Sequence, residues 1–243
     1  MTIRWLSSID STNSEALRHL EDYPSGTVLA AYEQTAGRGQ RGNTWFTEPG
    51  KNLTFSIILK FPEGCLPASG VHWLNYLISD AVASFLQEQG SVPQVKWPND
   101  VYVGRKKICG VLIENILQGS SVAASVIGVG VNVNQIVFPQ LANATSLALC
   151  TGKEMALEPA LERLVALFEE HLPLLFDEKR HESLIKSYSA LLFQKGVRAR
   201  YRDLLTGEEF SGVIEGVEAD GRLRIREGKR LRYYRFKEVG YIL

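Results

Sequence analysis

Three apolar, strand-like runs follow one another between residues 94 and 134, and only short turns separate them. They read QVKWPNDVYV, KKICGVLIEN and SVAASVIGVGVNVN. No helical pattern lies between them, so this chain does not alternate strictly between strand and helix. Runs of strands beside segregated helices are typical of the α+β class, and the sequence therefore predicts an α+β fold.

The segments before and after these runs supply further strands and several helices. TVLAAYEQT (Thr27 to Thr35) is apolar and β-compatible, and NLTFSIILKF places every second residue from Leu53 onward on one face, as a strand does. Helix signals follow a short first strand, with a capping residue between Ser11 and Asn13. Three more segments have helical spacing and cover residues 71–90, 158–179 and 181–191.

The pattern changes near Gly196. The last fifty or so residues have no helical periodicity, and they contain turn signals at Thr206-Gly207 and Asp220-Gly221 between short alternating strands. This tail predicts a separate small β-barrel. We therefore expect two domains, one over residues 1–193 and one over residues 194–243.

Composition excludes several classes of function. The formal net charge of the 243 residues is zero, which gives no support to a general nucleic-acid or membrane-surface role. The three cysteines are far apart and the four histidines do not cluster, so a disulfide framework, a zinc site or a metal-dependent hydrolase is not expected. We find no signal peptide and no apolar run of membrane-spanning length, which predicts a cytoplasmic protein.

GRGQRG, residues 37–42, matches the G-x-G-x-x-G dinucleotide-binding fingerprint letter for letter. That fingerprint needs a preceding strand and a following helix. A strand is predicted before it, but Pro49-Gly50 forces a turn soon after it, and no helix can begin there. Arg38 and Arg41 also lie inside the motif. The sequence therefore favours a mobile loop that closes over an anion.

Lys96 ends a strand and is followed by Trp97, Pro98, Asn99 and Asp100. Pro98 fixes its own φ and biases Trp97 to an extended conformation, so Lys96 is expected to be held firmly. A rigid lysine beside an arginine loop suits an anionic substrate. The alternative is an ordinary surface turn with a solvated lysine, since this tetrapeptide is a common turn sequence.

GVGVNVN, residues 128–134, leaves one strand face bare because Gly128 and Gly130 alternate along it. Either a ligand or another part of the chain approaches that face closely. Asn132, in the same segment, offers both a hydrogen-bond donor and an acceptor. Trp45 comes directly after the glycine loop, where its ring could stack on a ligand or belong to the core.

No nucleophile–base pair is evident in the sequence. Cations, backbone amides and an aromatic ring fit a reaction between two substrates that the protein positions, such as nucleotidyl transfer.

Five segments in order resemble the motif series of biotin–protein ligases. They are DSTN (Asp10 to Asn13), EQTAGRGQRGNTW (Glu33 to Trp45), KWPNDV (Lys96 to Val101), KICGVLIE (Lys107 to Glu114) and GVGVNVN, and ATSL (Ala144 to Leu147) follows them. Each motif alone is weak, but the combination in this order is specific. The resemblance covers roughly residues 5–150 and implies a mixed-sheet catalytic domain of the biotin/lipoate-ligase type, followed by an SH3-like barrel.

The resemblance also implies an activity. Members of this family join biotin to ATP, which gives biotinyl-5′-AMP and pyrophosphate, and transfer biotin to a lysine of a carrier domain, typically in acetyl-CoA carboxylase. ATP and Mg²⁺ would be required, with no protein residue assigned to the metal. The chain begins at the first catalytic strand, so we expect a short form without a DNA-binding domain, and no DNA or membrane partner.

Positions carried over from the family give the expected site residues. Lys96, Arg38 and Arg41 would offset charge on the reacting group. The residues expected to contact biotin are Ser11, Thr12, Asn13, Gln34, Gly37, Arg38, Gly39, Gln40, Arg41, Lys96 and Gly110. Those expected to contact the nucleotide are Trp45, Lys96, Asn99, Lys107 and Asn132. Gln40 departs from the pattern, because several relatives carry arginine there and the loop has one fewer cation.

Two other functions remain open on the sequence. A lipoate–protein ligase or octanoyltransferase would share the catalytic fold, although those families carry other glycine-rich and His-containing motifs. A non-catalytic biotin sensor or DNA-binding regulator is the alternative of another class, and an intact Lys96 with an arginine loop argues against it.

Overall fold

The computed structural model describes residues 1–139, 141 and 143–242, and it leaves the side chain of Arg41 undescribed. The strands are β1 Thr2–Leu6, β2 Thr27–Ala31, β3 Leu53–Lys60, β4 Pro93–Lys96, β5 Asp100–Val103, β6 Lys106–Gln118, β7 Ser121–Val131, β8 Arg198–Asp203, β9 Glu209–Val217, β10 Leu223–Glu227, β11 Arg230–Tyr234 and β12 Val239–Ile242. The α-helices are α1 Thr12–Arg18, α2 His72–Glu88, α3 Leu147–Thr151, α4 Leu157–His171 and α5 His181–Ala190.

The first seven strands form one sheet in the order β1-β2-β3-β7-β6-β5-β4. Strands β1 and β2 are parallel, and the other neighbouring pairs are antiparallel. The sheet is therefore mixed, and the predicted α+β class is confirmed.

Helices cover both faces of this sheet. Helix α1 packs on one face, where Ala16 contacts a small apolar cluster that includes Leu29, Ile58 and Val126. Helices α2 and α4 pack together and belong to the large core on the other face, which takes the predicted alternate residues of β3 from Leu53 onward. Since successive strand residues point to opposite faces, β3 is buried on both sides.

The last five strands form an antiparallel sheet in the order β11-β10-β9-β8-β12. Leu223 and Ile225 are fully buried, while the arginines that alternate with them face outward, as the sequence predicts. The buried apolar residues of the two sheets belong to one contiguous core. The predicted division between residues 193 and 194 stays a prediction.

Two strand predictions differ from the structure. Residues 94–103, predicted as one strand, belong to two antiparallel strands, β4 and β5, because the turn at Trp97 to Asn99 reverses the chain. The Trp97-Pro98 peptide bond is cis. Strand β2 ends at Ala31 rather than Thr35, and Gln34 then makes only an isolated bridge to Ile9.

Candidate active site

Glycines at three neighbouring positions leave part of the α1 face of the sheet bare. Gly110 on β6 pairs with Gly130 on β7, and Gly128 lies two residues away on the same face. A Cβ at Gly128 would overlap the Asn13 amide, and one at Gly130 would overlap the Trp45 indole. The sequence left open whether a ligand or another part of the chain lies against these glycines. In the structure, the side chains of Asn13 and Trp45 lie there.

The first turn of α1 forms one end of this bare surface. Ser11, Thr12 and Asn13 are buried, and buried polar groups need hydrogen-bond partners. Thr12 N donates to Gln34 Oε1 at 2.8 Å, while the Ser56 hydroxyl lies 2.8 Å from Thr12 Oγ1 and 2.5 Å from Asn13 Oδ1. These bonds fix the side chains, and Gln34 Nε2 has no partner among the described residues.

Residues 37–45, which we call the glycine–arginine loop, fold back on themselves. Arg38 and Thr44 form an antiparallel bridge, and Trp45 N donates to Gly37 O at 2.9 Å. A Cβ at Gly37 would overlap the Trp45 carbonyl oxygen, so only glycine allows this close return. The loop thus lays the Trp45 indole on the glycine surface, where its Nε1 is buried without a partner in the described part of the chain.

Among the described side chains, two cations line the site, and a carboxylate pairs with each. Arg38 Nη2 lies 2.7 Å from Glu114 Oε1, and Nη1 lies 3.1 Å from Oε2, which makes a bidentate pair. Lys107 Nζ lies 2.7 Å from Asp100 Oδ1 and 5.5 Å from the centroid of the Trp45 ring. The four charges sum to zero, so a bound anion would meet oriented but already partnered cations.

Lys96 lies in the same row of the sheet as this site, because it pairs with Asp100 and Asp100 pairs with Gly110. It lies on β4, the edge strand, with β5 between it and β6, so its backbone stands about 10 Å from β6. Lys96 Nζ donates to the Tyr102 hydroxyl at 3.2 Å and lies 5.2 Å from the ring centroids of Tyr102 and Tyr241. Burial lowers the pKa of this lysine. Two tyrosines pack around its ammonium group, and the predicted role of Lys96 at the reacting group stays a prediction.

The turn after Lys96 is rigid, as predicted. Asn75 Nδ2 and the Tyr188 hydroxyl both donate to Pro98 O, the latter at 2.7 Å. Asn99 Nδ2 donates to Val111 O, and Val111 N donates back to Asn99 O at 3.1 Å. The turn therefore fixes where β5 starts and, with it, the position of Asp100.

A cavity of about 220 Å³ lies between the glycine surface, the α1 end and the loop; we call it the first cavity. The predicted residues that line it are Ser11, Thr12, Asn13, Gln34, Arg38, Gly39, Gln40, Trp45, Asn99, Lys107 and Gly110. Its polar lining surrounds an apolar and glycine floor, an arrangement that orients a small ligand with an apolar body.

A second cavity, of about 290 Å³, lies beyond Trp45 and Lys107, and these two side chains line both cavities. Asn132 lines the second cavity, with its Nδ2 donating to Thr145 O at 2.9 Å. Tyr102, Phe46 and neighbouring residues complete an aromatic wall that suits a flat ring.

Three predicted residues remain. Lys96 lines neither cavity, Gly37 supports the loop without lining them, and the Arg41 side chain lies outside the described residues. The sequence analysis missed Asp100 and Glu114 as partners of the two cations. Strand parity carries a signal for Glu114, because residues 110, 112 and 114 of β6 share the glycine face.

No group of three or more His, Cys, Asp or Glu side chains within residues 1–139, 141 and 143–242 is arranged to hold a metal ion. Over the same residues, no helix combines the length and the apolar character needed to cross a membrane.

Comparison with known proteins identifies the family. Residues 5–132 match the model of the biotin/lipoate A/B protein ligase family, which is more than half of the chain. The chain therefore belongs to this family. Within it, the predicted resemblance to biotin–protein ligases is confirmed by the relatives and solved structures.

Among curated relatives, the chain is 32% identical to the bifunctional ligase/repressor BirA of Bacillus subtilis, over 93% of this chain and 69% of the relative. It is 28% identical to the biotin–[acetyl-CoA-carboxylase] ligase of Paracoccus denitrificans, over 91% of this chain and 92% of the relative. Among solved structures, the biotin protein ligase from Aquifex aeolicus in complex with biotin and ATP superposes with a TM-score of 0.80 at 25% identity, covering 98% of this chain and 97% of that one.

Proposed function

We propose that this chain activates biotin with ATP to give biotinyl-5′-AMP and transfers biotin to a lysine of a biotin carrier domain, in acetyl-CoA carboxylase or a similar carboxylase. The observation that carries the proposal is the junction of the two cavities. Trp45 and Lys107 line both, so a ligand in each would meet at the Lys107 ammonium group.

Biotin occupies the first cavity in this proposal. Its ureido head lies at the first turn of α1, where Gln34 Nε2 remains available as a donor and Thr12 and Asn13 are held by neighbours. Its apolar chain runs over the glycine surface toward Lys107. The glycines let Asn13 and Trp45 pack close against the sheet, and these two side chains bound the space for this chain.

The nucleotide occupies the second cavity, with its base beside Trp45 and Asn132. The biotin carboxylate attacks the α-phosphate of ATP, pyrophosphate leaves, and negative charge gathers on the transferring group. Lys107 offsets that charge where the cavities meet, together with Lys96, which lies in the same row of the sheet as Asp100 and Gly110. Arg38 contributes from the loop, and the loop excludes water from the mixed anhydride.

Transfer follows when the ε-amine of the carrier lysine attacks the acyl carbonyl and AMP leaves. Mg²⁺ enters bound to the ATP phosphates. In support of this, Asp100 is the one carboxylate among the described residues that line the first cavity, so the phosphates supply most of the oxygen ligands. The cytoplasmic location expected from the sequence stays a prediction.

Two measurements test this proposal. ATP–pyrophosphate exchange should depend on biotin and not on lipoate, and a purified carrier domain incubated with the protein, ATP and biotin should gain the mass of one biotin. Exchange that responds to lipoate instead would assign the chain to the lipoate branch of its family. Biotin binding without exchange or transfer would identify a sensor.

A further inference from the structure

Glu114 joins two parts of the site that the sequence does not connect. Its carboxylate accepts from both terminal nitrogens of Arg38, in the glycine–arginine loop, at 2.7 and 3.1 Å. The same carboxylate accepts from Asn13 Nδ2, at the start of α1, at 2.9 Å. One side chain on β6 therefore holds both the loop and the end of the first cavity.

The Asn13 amide is fully engaged by this arrangement. Its Nδ2 donates to Glu114 Oε2 and to Leu112 O, and its Oδ1 lies 2.5 Å from the Ser56 hydroxyl. Because Asn13 also packs directly on Gly128, it has little freedom to turn. Glu114 is thus one of three partners that set which way the amide faces.

Arg38 depends on Glu114 in the same way. Apart from the contacts with this carboxylate, the Arg38 side chain makes one hydrogen bond to the described residues, from Nη1 to Ser14 Oγ at 3.3 Å. The Arg38 side chain is 42% exposed and that of Glu114 is 26% exposed, so the pair lies at the rim of the first cavity. Without the carboxylate, the Arg38 end of the loop would lose its ion pair with β6, and the packing of Trp45 on the glycine surface would hold the other end.

We propose that Glu114 is a positioning residue that holds the glycine–arginine loop closed through Arg38 and orients Asn13 toward the biotin end of the first cavity. The effect of Glu114 on the reaction rests on the proposed function, whereas its contact with the loop through Arg38 does not depend on it. Because one carboxylate serves both contacts, loop closure and the shape of the biotin end are coupled.

The size of the effect follows from the exposure of the pair. Partly exposed ion pairs contribute modestly, and a bidentate pair lies at the upper end of that range, so its loss should raise loop opening roughly three- to tenfold. Glu114→Gln is the suitable variant, because it keeps the shape and one acceptor oxygen but removes the charge.

The first test is limited trypsin digestion of the protein without substrates, since the loop contains Arg38 and Arg41. We expect Glu114→Gln to be cut in the loop roughly three- to tenfold faster than the wild type. Arg38→Lys, which leaves a trypsin site but loses the bidentate contact, should show faster cutting after Arg41. Equal cutting rates for the wild type and both variants would overturn the proposal.

Glu88→Gln is the matched control. Glu88 forms a bidentate pair with Arg163 at 2.9 and 2.5 Å, on helices distant from the loop, with similar exposure. Its loss should affect thermal stability to a similar degree but leave loop cutting unchanged. If Glu88→Gln speeds loop cutting equally, the effect of Glu114→Gln is general destabilisation and the proposal is wrong.

The second test uses the reaction. Glu114→Gln should raise KM for biotin and the rate at which biotinyl-5′-AMP escapes by three- to tenfold, while kcat for adenylation changes less, because Lys107 is untouched. Unchanged escape and KM in a variant with faster loop cutting would remove the catalytic part of the proposal. If the wild type forms no biotinyl-5′-AMP, the proposed function is wrong. The digestion experiment then still tests whether Glu114 holds the loop closed.

Discussion

Lys107 Nζ lies 2.7 Å from Asp100 Oδ1, across two adjacent strands that the Trp97–Asn99 turn holds in place. An ammonium group carries three donors, so Lys107 can keep this partner and still contact a ligand. Asp100 therefore fixes the direction of the lysine before any substrate arrives. A pre-oriented cation stabilises developing charge more effectively than a solvated one, because it does not reorganise during the reaction.

Lys107→Ala should abolish most of the biotin-dependent ATP–pyrophosphate exchange. Loss of a charge contact to the transferring group raises the barrier by ~3 kcal/mol or more, which is roughly a hundredfold or more in rate. The fold should survive, since the Lys107 side chain is about one-third exposed. Near-normal exchange by a folded variant would remove Lys107 from the reaction.

Lys96→Met tests the predicted role of the other lysine. Its ammonium contacts two tyrosine rings, one of them on β12, and such contacts contribute about 0.5–2 kcal/mol. We expect exchange activity to fall about as far as in Lys107→Ala, together with a lower melting temperature. Near-normal exchange in a variant with a lower melting temperature would limit Lys96 to its contacts with the two tyrosines.

Gly130→Ala should impair the site without unfolding the sheet. The added methyl group would overlap the Trp45 indole, so the loop must shift away from the surface that both cavities share. We expect a higher KM for ATP, measured by exchange kinetics. Gly240→Ala on β12 is the control, because its methyl group would meet its nearest neighbour at an ordinary 3.5 Å. Equal KM values for both variants would show that Trp45 does not shape the nucleotide cavity.

Most helices and strands were predictable from the sequence because local signals and tertiary packing favour the same structure. Alternation along β3, the cap at Ser11 and the glycine stop of α2 are local signals, and tertiary packing agrees with each of them. Residues 94–103 were predicted as one strand because apolar residues continue on both sides of the turn sequence at Trp97 to Asp100, and periodicity alone does not separate two short strands from one.

The assignment of the two lysines shows where local reasoning ends. Lys96 was correctly placed at a strand end beside a rigid turn, but the sequence does not reveal that its strand is the sheet edge or that Tyr241 covers it. Lys107 comes ten or so residues later on a strand nearer the glycine surface. The register also places Lys96 in one row with Asp100 and Gly110, and both register and strand order depend on long-range pairing.

The arginine-rich segment 221–237 should not bind DNA selectively. Four of its arginines, at positions 222, 224, 226 and 232, are paired with nearby acidic residues, as in Arg226 with Glu215 at 2.6 Å and Arg224 with Glu218 at 2.8 Å. Paired arginines release few counterions from phosphates, so their contribution to DNA binding is weak. A gel-shift titration at near-physiological salt, with biotin and ATP present, should show no sequence-selective complex. Selective binding at nanomolar concentration would contradict this expectation.

Acid should destabilise the contact between α2 and the β9–β10 turn through His72. Burial lowers the pKa of His72 below its ordinary 6.5, while Asp220 opposes and His181 reinforces that shift. The folded state thus favours the neutral ring, so its contribution is complete above pH 6.5 and is lost as the pH falls through 6.5 toward the lower folded-state pKa. Thermal unfolding between pH 8 and 5 should show a smaller acid-induced loss in His72→Asn than in the wild type. If the two proteins lose stability in parallel, His72 does not bind its proton more weakly in the folded state.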